Sequence, residues 1–570
     1  MGLFTSQLND RTRKFYLISM YFLFLFLSIF TIYFTLIQNQ KMFLGDDLEF
    51  HLGRIEGLYL AILNGDYFPK INYFFLQGMG YISSIFYPDI LLYPAALLRI
   101  SGFSTAQAYV IYMVMINFFT FVIAYHSFYS VNRVRNKSFL FAMLYGLSSY
   151  RLCDVLYRAA LGETLAFMVL PIAFVGIIKI VSGNYKQFYI LTIGMALLFF
   201  SHMITSFIFG LFILIFLLLN IKKLMKEKQR ILYLIVAAIS TIFLVALSLF
   251  PMIEQIQFQK LAFQDRTMFY LEKTAEPLLK YLNNAWKNQG FNNLGLFIFI
   301  LLLIYILRFT KLNKLNKQLV GMSIFFFIMA TTLFPNQLLN HTILNTIQFP
   351  WRYFIIVTLS ICWVTADTLE ELLPKNVNGK RWLIPAILCL LTVNTFYYQR
   401  NLRTDLLQQD RRMSHSSYSE FDGFQLGYGK EYLPSGFKYM MHPQDLIVLP
   451  NETPIDNMRR VYNVMTLDFK AKERTKLIFP IVYYKGYKVN VEGSGTVSEI
   501  QKCQEPYGFS EVFVEGNGRL TFWYEGTTIQ RVSFYISLVT ASAMIGYVWL
   551  ERKRQKNNVD EQIKLEDIND

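Results

Sequence analysis

Long apolar runs recur from Phe15 almost to Leu550, twelve stretches of about 15 to 23 residues that are hydrophobic on every side. A soluble helix shows one apolar stripe and a half-buried strand alternates. Neither pattern holds here, and no single soluble core could absorb so much apolar chain. The composition agrees, at 54% hydrophobic and 17% aromatic with only 16% charged residues. The expected fold is therefore a mainly α membrane protein with about twelve transmembrane helices, at 15–37, 106–130, 138–156, 164–182, 187–201, 204–220, 231–250, 294–308, 319–334, 351–369, 382–398 and 531–549. The first run follows Arg11, Arg13 and Lys14 as in a signal peptide. At 23 apolar residues with no small-residue cleavage site, it reads as a signal anchor.

A thirteenth candidate, Ile85 to Ile100, is short, carries Asp89 and is broken by Pro88 and Pro94. Parity decides its status. If it does not cross, Arg133/Arg135/Lys137, the run Lys222 to Arg230, Lys311/Lys314/Lys317, Lys375/Lys380/Arg381 and Arg552/Lys553/Arg554 all lie on one side, as the positive-inside bias requires of the cytoplasm. It is therefore expected to be re-entrant or interfacial and buried in protein. The pair 187–201 and 204–220 is the weak point of this count, because fusing the two would invert every later loop. The expected organisation is a transmembrane domain, 1–398, with a first outer loop at 38–105, then an external β-rich domain, 399–530, a last span at 531–549 and a cytoplasmic tail, 550–570. Both termini are expected in the cytoplasm of a multi-pass plasma-membrane protein. Leu477 to Val491 and Val512 to Tyr524 read as strands, with turns at Lys485-Gly486 and Gly516-Asn517-Gly518, and the charged tail after Glu551 reads as disordered. The formal net charge of +15 arises in short loops beside apolar runs, where basic residues set orientation, so no nucleic-acid partner is implied and the lipid bilayer is the partner.

This topology gathers the chemistry-capable residues on the outer face. In Gly45-Asp46-Asp47-Leu48-Glu49-Phe50-His51-Leu52-Gly53-Arg54, a helix from Leu48 would put Asp47, His51 and Arg54 on one face. Asp47 could then deprotonate a hydroxyl, His51 tune it and Arg54 bind an anion, although polar juxtamembrane loops are common. Arg158 and Glu163, between two spans, are costly unless paired or wet, and an ion pair capping a helix is an equal reading. His202, in a tight outer turn, is more often a structural hydrogen-bonding group than a catalyst. Gln348-Phe349-Pro350-Trp351-Arg352-Tyr353 opens a span, either as an aromatic-belt anchor or with Arg352 gripping a lipid phosphate or diphosphate.

The combination Asp47-x-x-Phe50-His51-x-x-Arg54, Arg158-x4-Glu163, Ser201-His202 and Gln348-Phe349-Pro350-Trp351-Arg352 resembles bacterial membrane proteins labelled 6-pyruvoyl-tetrahydropterin synthase-related and the similar YfhO-like family. Both resemble the GT-C superfamily of glycosyltransferases. Glu431-Tyr432-Leu433-Pro434 and Tyr483-Tyr484-Lys485-Gly486-Tyr487 look like recurring motifs of the external region. The resemblance implies a GT-C-like bundle and a polyprenyl-phosphate-linked sugar donor. It also implies an acidic base in the first outer loop and inverting transfer to an envelope glycopolymer, lipid or protein. Mapped onto this chain, Asp47 is the base with Asp46 as the alternative; Glu163 orients the acceptor or helps hold a metal; Arg352, with Trp351 beside it, grips the donor. His51, Arg54, Arg158 and His202 would line the substrates. Some superfamily members use a divalent cation; no compact Asp/Glu ligand cluster assigns a metal residue here.

Two other classes compete. A transporter or flippase for lipid-linked saccharides should carry ionisable or helix-breaking positions at the bilayer midplane and often inverted repeats. The polar residues here collect at one face, and no repeat is evident. A non-catalytic assembly factor would keep the external domain and tolerate changes at Asp47.

Overall fold

The computed structural model describes residues 10–265, 269–372, 380–408, 412–414, 430–438, 441, 445–450 and 453–569. Lys375 and most of the stretch 409–429, both invoked above, lie outside the described residues, as do the side chains of Arg11, Arg13, Lys380 and Arg381. Helices occupy all twelve apolar stretches. Six are long and apolar enough to cross a membrane, Lys14–Gln40, Thr105–Asn132, Leu161–Ser182, Pro350–Glu371, Trp382–Asp405 and Thr528–Arg554, or up to eight if two bent pairs each count as one span. The remaining four expected spans form helices of 12 to 17 residues, Tyr185–Ser201, Met203–Leu219, Leu296–Leu307 and Lys314–Met329. Those fall short of the about 20 residues that a crossing usually takes. The thirteenth candidate breaks at Tyr87-Pro88-Asp89 and leaves an apolar helix of 11 residues, Ile90–Ile100.

At three of the helix irregularities a polar side chain meets the freed backbone. At the π turn Tyr33–Ile37 the amide of Gln399 inserts into the ladder, donating to Phe30 O at 2.8 Å and accepting from Phe34 N–H at 3.1 Å. Pro171 has no N–H for the carbonyl of Phe167, which instead accepts the Tyr145 hydroxyl at 2.8 Å. Between Lys228–Leu244 and Ala246–Phe258, bent by 69°, Ser537 of the last helix donates to Phe243 O at 3.1 Å and accepts from Leu247 N–H at 2.9 Å. In lipid such freed groups have no water to turn to, so the partners must come from the chain.

The C-terminal domain is an antiparallel sheet, its strands Ile447–Leu449, Val464–Val482, Phe509–Tyr524 and Tyr487–Gly493 in that order, with Ile455–Val461 on the second and two short strands on the third. The turn at Lys485-Gly486 is present. Gly516-Asn517-Gly518 is not a turn but the middle of the strand Phe509–Tyr524. Glycine is needed there for close approach: a Cβ on Gly518 would lie 2.8 Å from Glu492 O and 2.7 Å from Val491 Cγ1. The charged tail also departs from expectation, since the last helix continues in backbone from Thr528 to Asn569. Lys, Arg, Gln and Glu there are good helix formers.

The loop 38–105, expected on the outer side, is described throughout. Its strand Lys41–Phe43 pairs with Arg412–Ser414, its helix runs Leu48–Leu63, and the stretch from Ile71 to Phe86 shares one apolar core with the sheet. The helix Ala246–Phe258 grips the sheet from the other side. Gln255 exchanges two hydrogen bonds with the Lys485 backbone at 2.8 and 3.2 Å, Gln259 donates to Tyr483 O at 2.6 Å, and Glu254 pairs with Lys485 at 3.2 Å.

Candidate functional site

Between the helices Ser149–Leu152 and Leu161–Ser182 the chain passes through a π turn, Cys153–Tyr157, and a left-handed residue, Ala159 at φ 50°. A β-carbon-bearing residue rarely adopts that backbone, and such strain gathers at functional sites. Gly45 of the first loop packs directly on Ala159: a Cβ on Gly45 would sit 2.5 Å from Ala159 Cβ. That approach lets Asp46 N–H donate to Tyr157 O at 3.3 Å and Asp47 N–H to Arg158 O at 2.8 Å. The two loops that the sequence placed on one face are thus joined backbone to backbone.

Below this junction lies a buried charge network. Arg158 donates to Asp154 Oδ1 at 2.5 Å and to Glu163 Oε2 at 2.7 Å, and the Tyr150 hydroxyl donates to Glu163 Oε1 at 2.7 Å. Arg352 Nε stands 3.9 Å from Glu163 Oε2, while its Nη1 donates to Ile347 O at 2.7 Å and Gln348 Oε1 at 3.2 Å. Arg352 Nε is buried without a hydrogen-bond partner among the described residues, as is Trp351 Nε1. Ionised groups this deep persist only when paired, which explains the alternation of sign.

Asp47 stands at the mouth of the network. Its side chain is solvent-accessible although protein surrounds it closely, the situation of a group in a recess. Burial raises its carboxyl above the usual range. The guanidinium groups of Arg158 and Arg352 act in the opposite direction, and the charges of Asp46 and Glu163 add to the rise. Asp46 is also solvent-accessible. His51, one turn into the helix, is buried and held neutral, its pKa pushed well down first by burial and then by Arg54, His202 and Arg158.

Arg54 has a different place from the one expected. Its Nε and Nη2 donate to Asp89 Oδ1 at 3.2 and 2.9 Å, Nη2 also reaches Tyr87 O at 2.8 Å and Pro88 O at 3.0 Å, and its guanidinium lies 4.0 Å from the Tyr87 ring centre. Its Nε and Nη2 donors are spent on fixing the broken stretch 87–89, and Nη1 lies 3.4 Å from His51 Nδ1, so it organises the site rather than presenting a cation to an anion. Tyr87, so fixed, abuts Gly162, where a Cβ would fall 1.6 Å from the Tyr87 hydroxyl. His202 sits at the break between two short helices with Nδ1 2.7 Å from Thr205 Oγ1 and its ring 6.2 Å from that of Tyr87. Trp351 and Tyr353 are not belt residues at headgroup level. Both are buried, Trp351 between Phe349, stacked at 4.5 Å, and Phe291, edge-on at 5.1 Å.

Sequence reading missed Tyr87, Tyr150 and Asp154, and named Asp89 and Glu431 without giving them a role in the site. Asp89 and Asp154 carried a usable signal, each being an acid inside an apolar run, where an ionisable residue is functional or paired by default. Tyr87 and Tyr150 carried none among 37 tyrosines. Among the described residues no group of three or more His, Cys, Asp or Glu comes together as a metal site.

Fold and site together define a helical membrane protein in which the segment after the first apolar helix, under a C-terminal antiparallel sheet domain, covers a buried charge network. The chain belongs to the family described as bacterial membrane protein YfhO, whose sequence model matches residues 63–417, well over half of it. That match includes Arg158, Glu163, His202, Trp351 and Arg352 and begins beyond Asp46, Asp47, His51 and Arg54. It gives no support to the pterin-synthase-related label. An uncharacterized protein of Lactococcus lactis subsp. cremoris (strain MG1363) is 25% identical over 292 residues, which make up 48% of this chain and 47% of that relative. The chain thus matches about half the length of this curated relative.

Proposed function

We propose that this protein is a membrane glycosyltransferase that moves a sugar from a polyprenyl-phosphate-linked donor to an acceptor of the cell envelope on the outer face. In this reading it lies in the plasma membrane with both termini in the cytoplasm. The observation that carries the proposal is an accessible carboxylate, Asp47, standing within electrostatic reach of two buried guanidinium groups, Arg158 and Arg352, the second with an Nε that makes no hydrogen bond among the described residues. The GT-C resemblance supplies the chemistry. Asp47 takes the proton from an acceptor hydroxyl, the acceptor oxygen bonds to the anomeric carbon, and the bond from that carbon to the phosphate oxygen breaks with its electron pair. The lipid phosphate so released carries new charge, which the Arg352 guanidinium is placed to stabilise in a site of low dielectric. The raised pKa of Asp47 makes it a stronger base than an ordinary carboxylate. Glu163 holds Arg158 and Arg352 together, and Asp46 flanks the base.

The test complements cells lacking the native copy with wild type, Asp46→Ala, Asp47→Ala or Arg352→Ala and reads envelope glycans by mass spectrometry at matched membrane abundance. Wild type should restore a glycan that Asp47→Ala lowers by about 100-fold or more, the usual contribution of a general base. If no glycan depends on the wild-type chain, or if Asp47→Ala and Arg352→Ala both retain it in full, the transferase reading is wrong. Accumulation of unused lipid-linked saccharide on the inner leaflet would favour a flippase instead.

A further inference from the structure

We propose that Glu431, carried by the external domain, is the acceptor-binding carboxylate of this site, accepting a hydrogen bond from a hydroxyl next to the one that Asp47 deprotonates. The inference rests on the transferase reading and gives it a substrate class, a polyhydroxylated acceptor such as a sugar or a polyol chain. It also gives the external domain a direct part in the site.

The position of Glu431 follows from how its segment is held. The next residue, Tyr432, donates its N–H to the Tyr81 hydroxyl at 3.2 Å and accepts the Tyr484 hydroxyl on its carbonyl at 3.1 Å. Its ring stacks on Phe86 at 4.8 Å with 14° between the planes, one residue before Tyr87. Leu433 O accepts Ala262 N–H at 2.9 Å, and Ser435 N–H donates to Lys260 O at 2.9 Å. Clamped from three directions, the short turn Lys430–Tyr432 holds Glu431 within electrostatic reach of Asp47. The titratable groups that face it are Asp47, Tyr81 and Tyr432.

A carboxylate whose task was to fasten the domain would be paired with a cation. The pair that does so is elsewhere, Lys485 with Glu254 at 3.2 Å, and no cation among the described residues pairs with Glu431. It is instead a partly buried acid near a second acid. Burial, and secondarily the charge of Asp47, push its carboxyl up to about 7. Two carboxylates next to aromatic rings form a surface suited to vicinal hydroxyls, since each oxygen accepts while the rings cover the C–H faces. Glu431 forms and breaks no covalent bond in the transfer. It orients the acceptor, and the hydroxyl proton goes to Asp47.

Two measurements test this. In the complementation assay, Glu431→Ala should lower the wild-type-dependent glycan about tenfold at unchanged membrane abundance, the scale of a hydrogen bond to a charged group. Glu431→Gln, which keeps an accepting carbonyl, should lose less. If Glu431→Ala retains the glycan while Asp47→Ala loses it, the inference falls and the transferase reading stands; if Asp47→Ala retains it, both fall. Independently of activity, infrared titration of the full chain in lipid nanodiscs should show a carboxyl band near pH 7 that Glu431→Gln removes and Asp47→Asn shifts to lower pH. A band unmoved by Asp47→Asn would show that the two carboxyls do not share a recess and would overturn the inference.

Discussion

Asp47 shows what a single residue in this site costs the fold. Burial raises its carboxyl, so the folded state binds the proton more tightly than the unfolded chain does. The folded state therefore loses stability as pH rises from the unfolded value of about 4 through the raised folded value, and bears the whole penalty above it. Asp47→Asn removes the penalty. Its thermal midpoint in detergent should exceed that of wild type at pH 8 and equal it at pH 4, although the variant makes no glycan. A lower midpoint at pH 8 would mean that Arg158 and Arg352 hold the carboxylate more strongly than burial opposes it. Much of the site was legible at this scale: Arg158, Glu163 and Arg352 stand out as charges at the ends of apolar runs, and Asp47 as one of a doubled acid in the loop after the first. The role of Arg54 was not, because nothing in its spacing from Asp47 reveals that Asp89, 35 residues on, would claim its guanidinium.

At the scale of elements, the apolar runs located the helices, and periodicity could not say how they end or bend. Tyr33–Ile37, Val245 and the stretch 87–89 depart from regular helix because distant side chains, Gln399, Ser537 and Arg54, satisfy the freed backbone. Such partners are invisible in a local window. The same limit explains Gly516-Asn517-Gly518, a turn by composition but a strand once Glu492 lies against it. Packing between helices is more local. Where Leu161–Ser182 meets Tyr189–Ser201, a Cβ on Gly176 would lie 2.4 Å from Leu191 N, and one on Gly194 would lie 2.4 Å from Ala173 N. Small residues that bring backbones this close stabilise helix pairs in lipid, where no hydrophobic effect drives them together. Gly176→Leu or Gly194→Leu should force the helices apart at a cost of about 1 to 3 kcal/mol or more, read as a lower thermal midpoint and lower membrane abundance. Gly210→Leu is the control, because nothing lies within 4 Å of a Cβ there. Equal behaviour of the three would show that this helix pair tolerates separation.

At the scale of the whole molecule, the C-terminal sheet is docked on the helical part of the chain, and one short motif supplies several of the hydrogen bonds that dock it. In Tyr483-Tyr484-Lys485-Gly486-Tyr487 the three tyrosines and the lysine engage residues from other segments. Tyr483 O takes Gln259, Tyr484 holds Tyr432, Lys485 meets Gln255 and Glu254, Gly486 makes the turn at φ 122°, and the Tyr487 hydroxyl lies 3.2 Å from that of Tyr73. The sequence marked the motif as recurring but could not assign its purpose, since apart from Tyr432, 52 positions back, the residues it meets are more than 200 positions earlier in the chain. Replacing Gln255 and Gln259 together with alanine removes three hydrogen bonds. At about 1 kcal/mol each, opening of the docked interface should become about 100-fold more frequent. Hydrogen exchange of the full chain in nanodiscs reads this directly. Amides of Tyr81 and Val482 to Lys485 should exchange faster, while the strand pair Val464–Ala471 with Gly516–Trp523, which closes on itself, stays protected. Faster exchange throughout the sheet would mean that docking and folding of the external domain are one event. Unchanged exchange at Val482 would mean that the apolar core shared with Ile71 to Phe86 holds the domain without the motif.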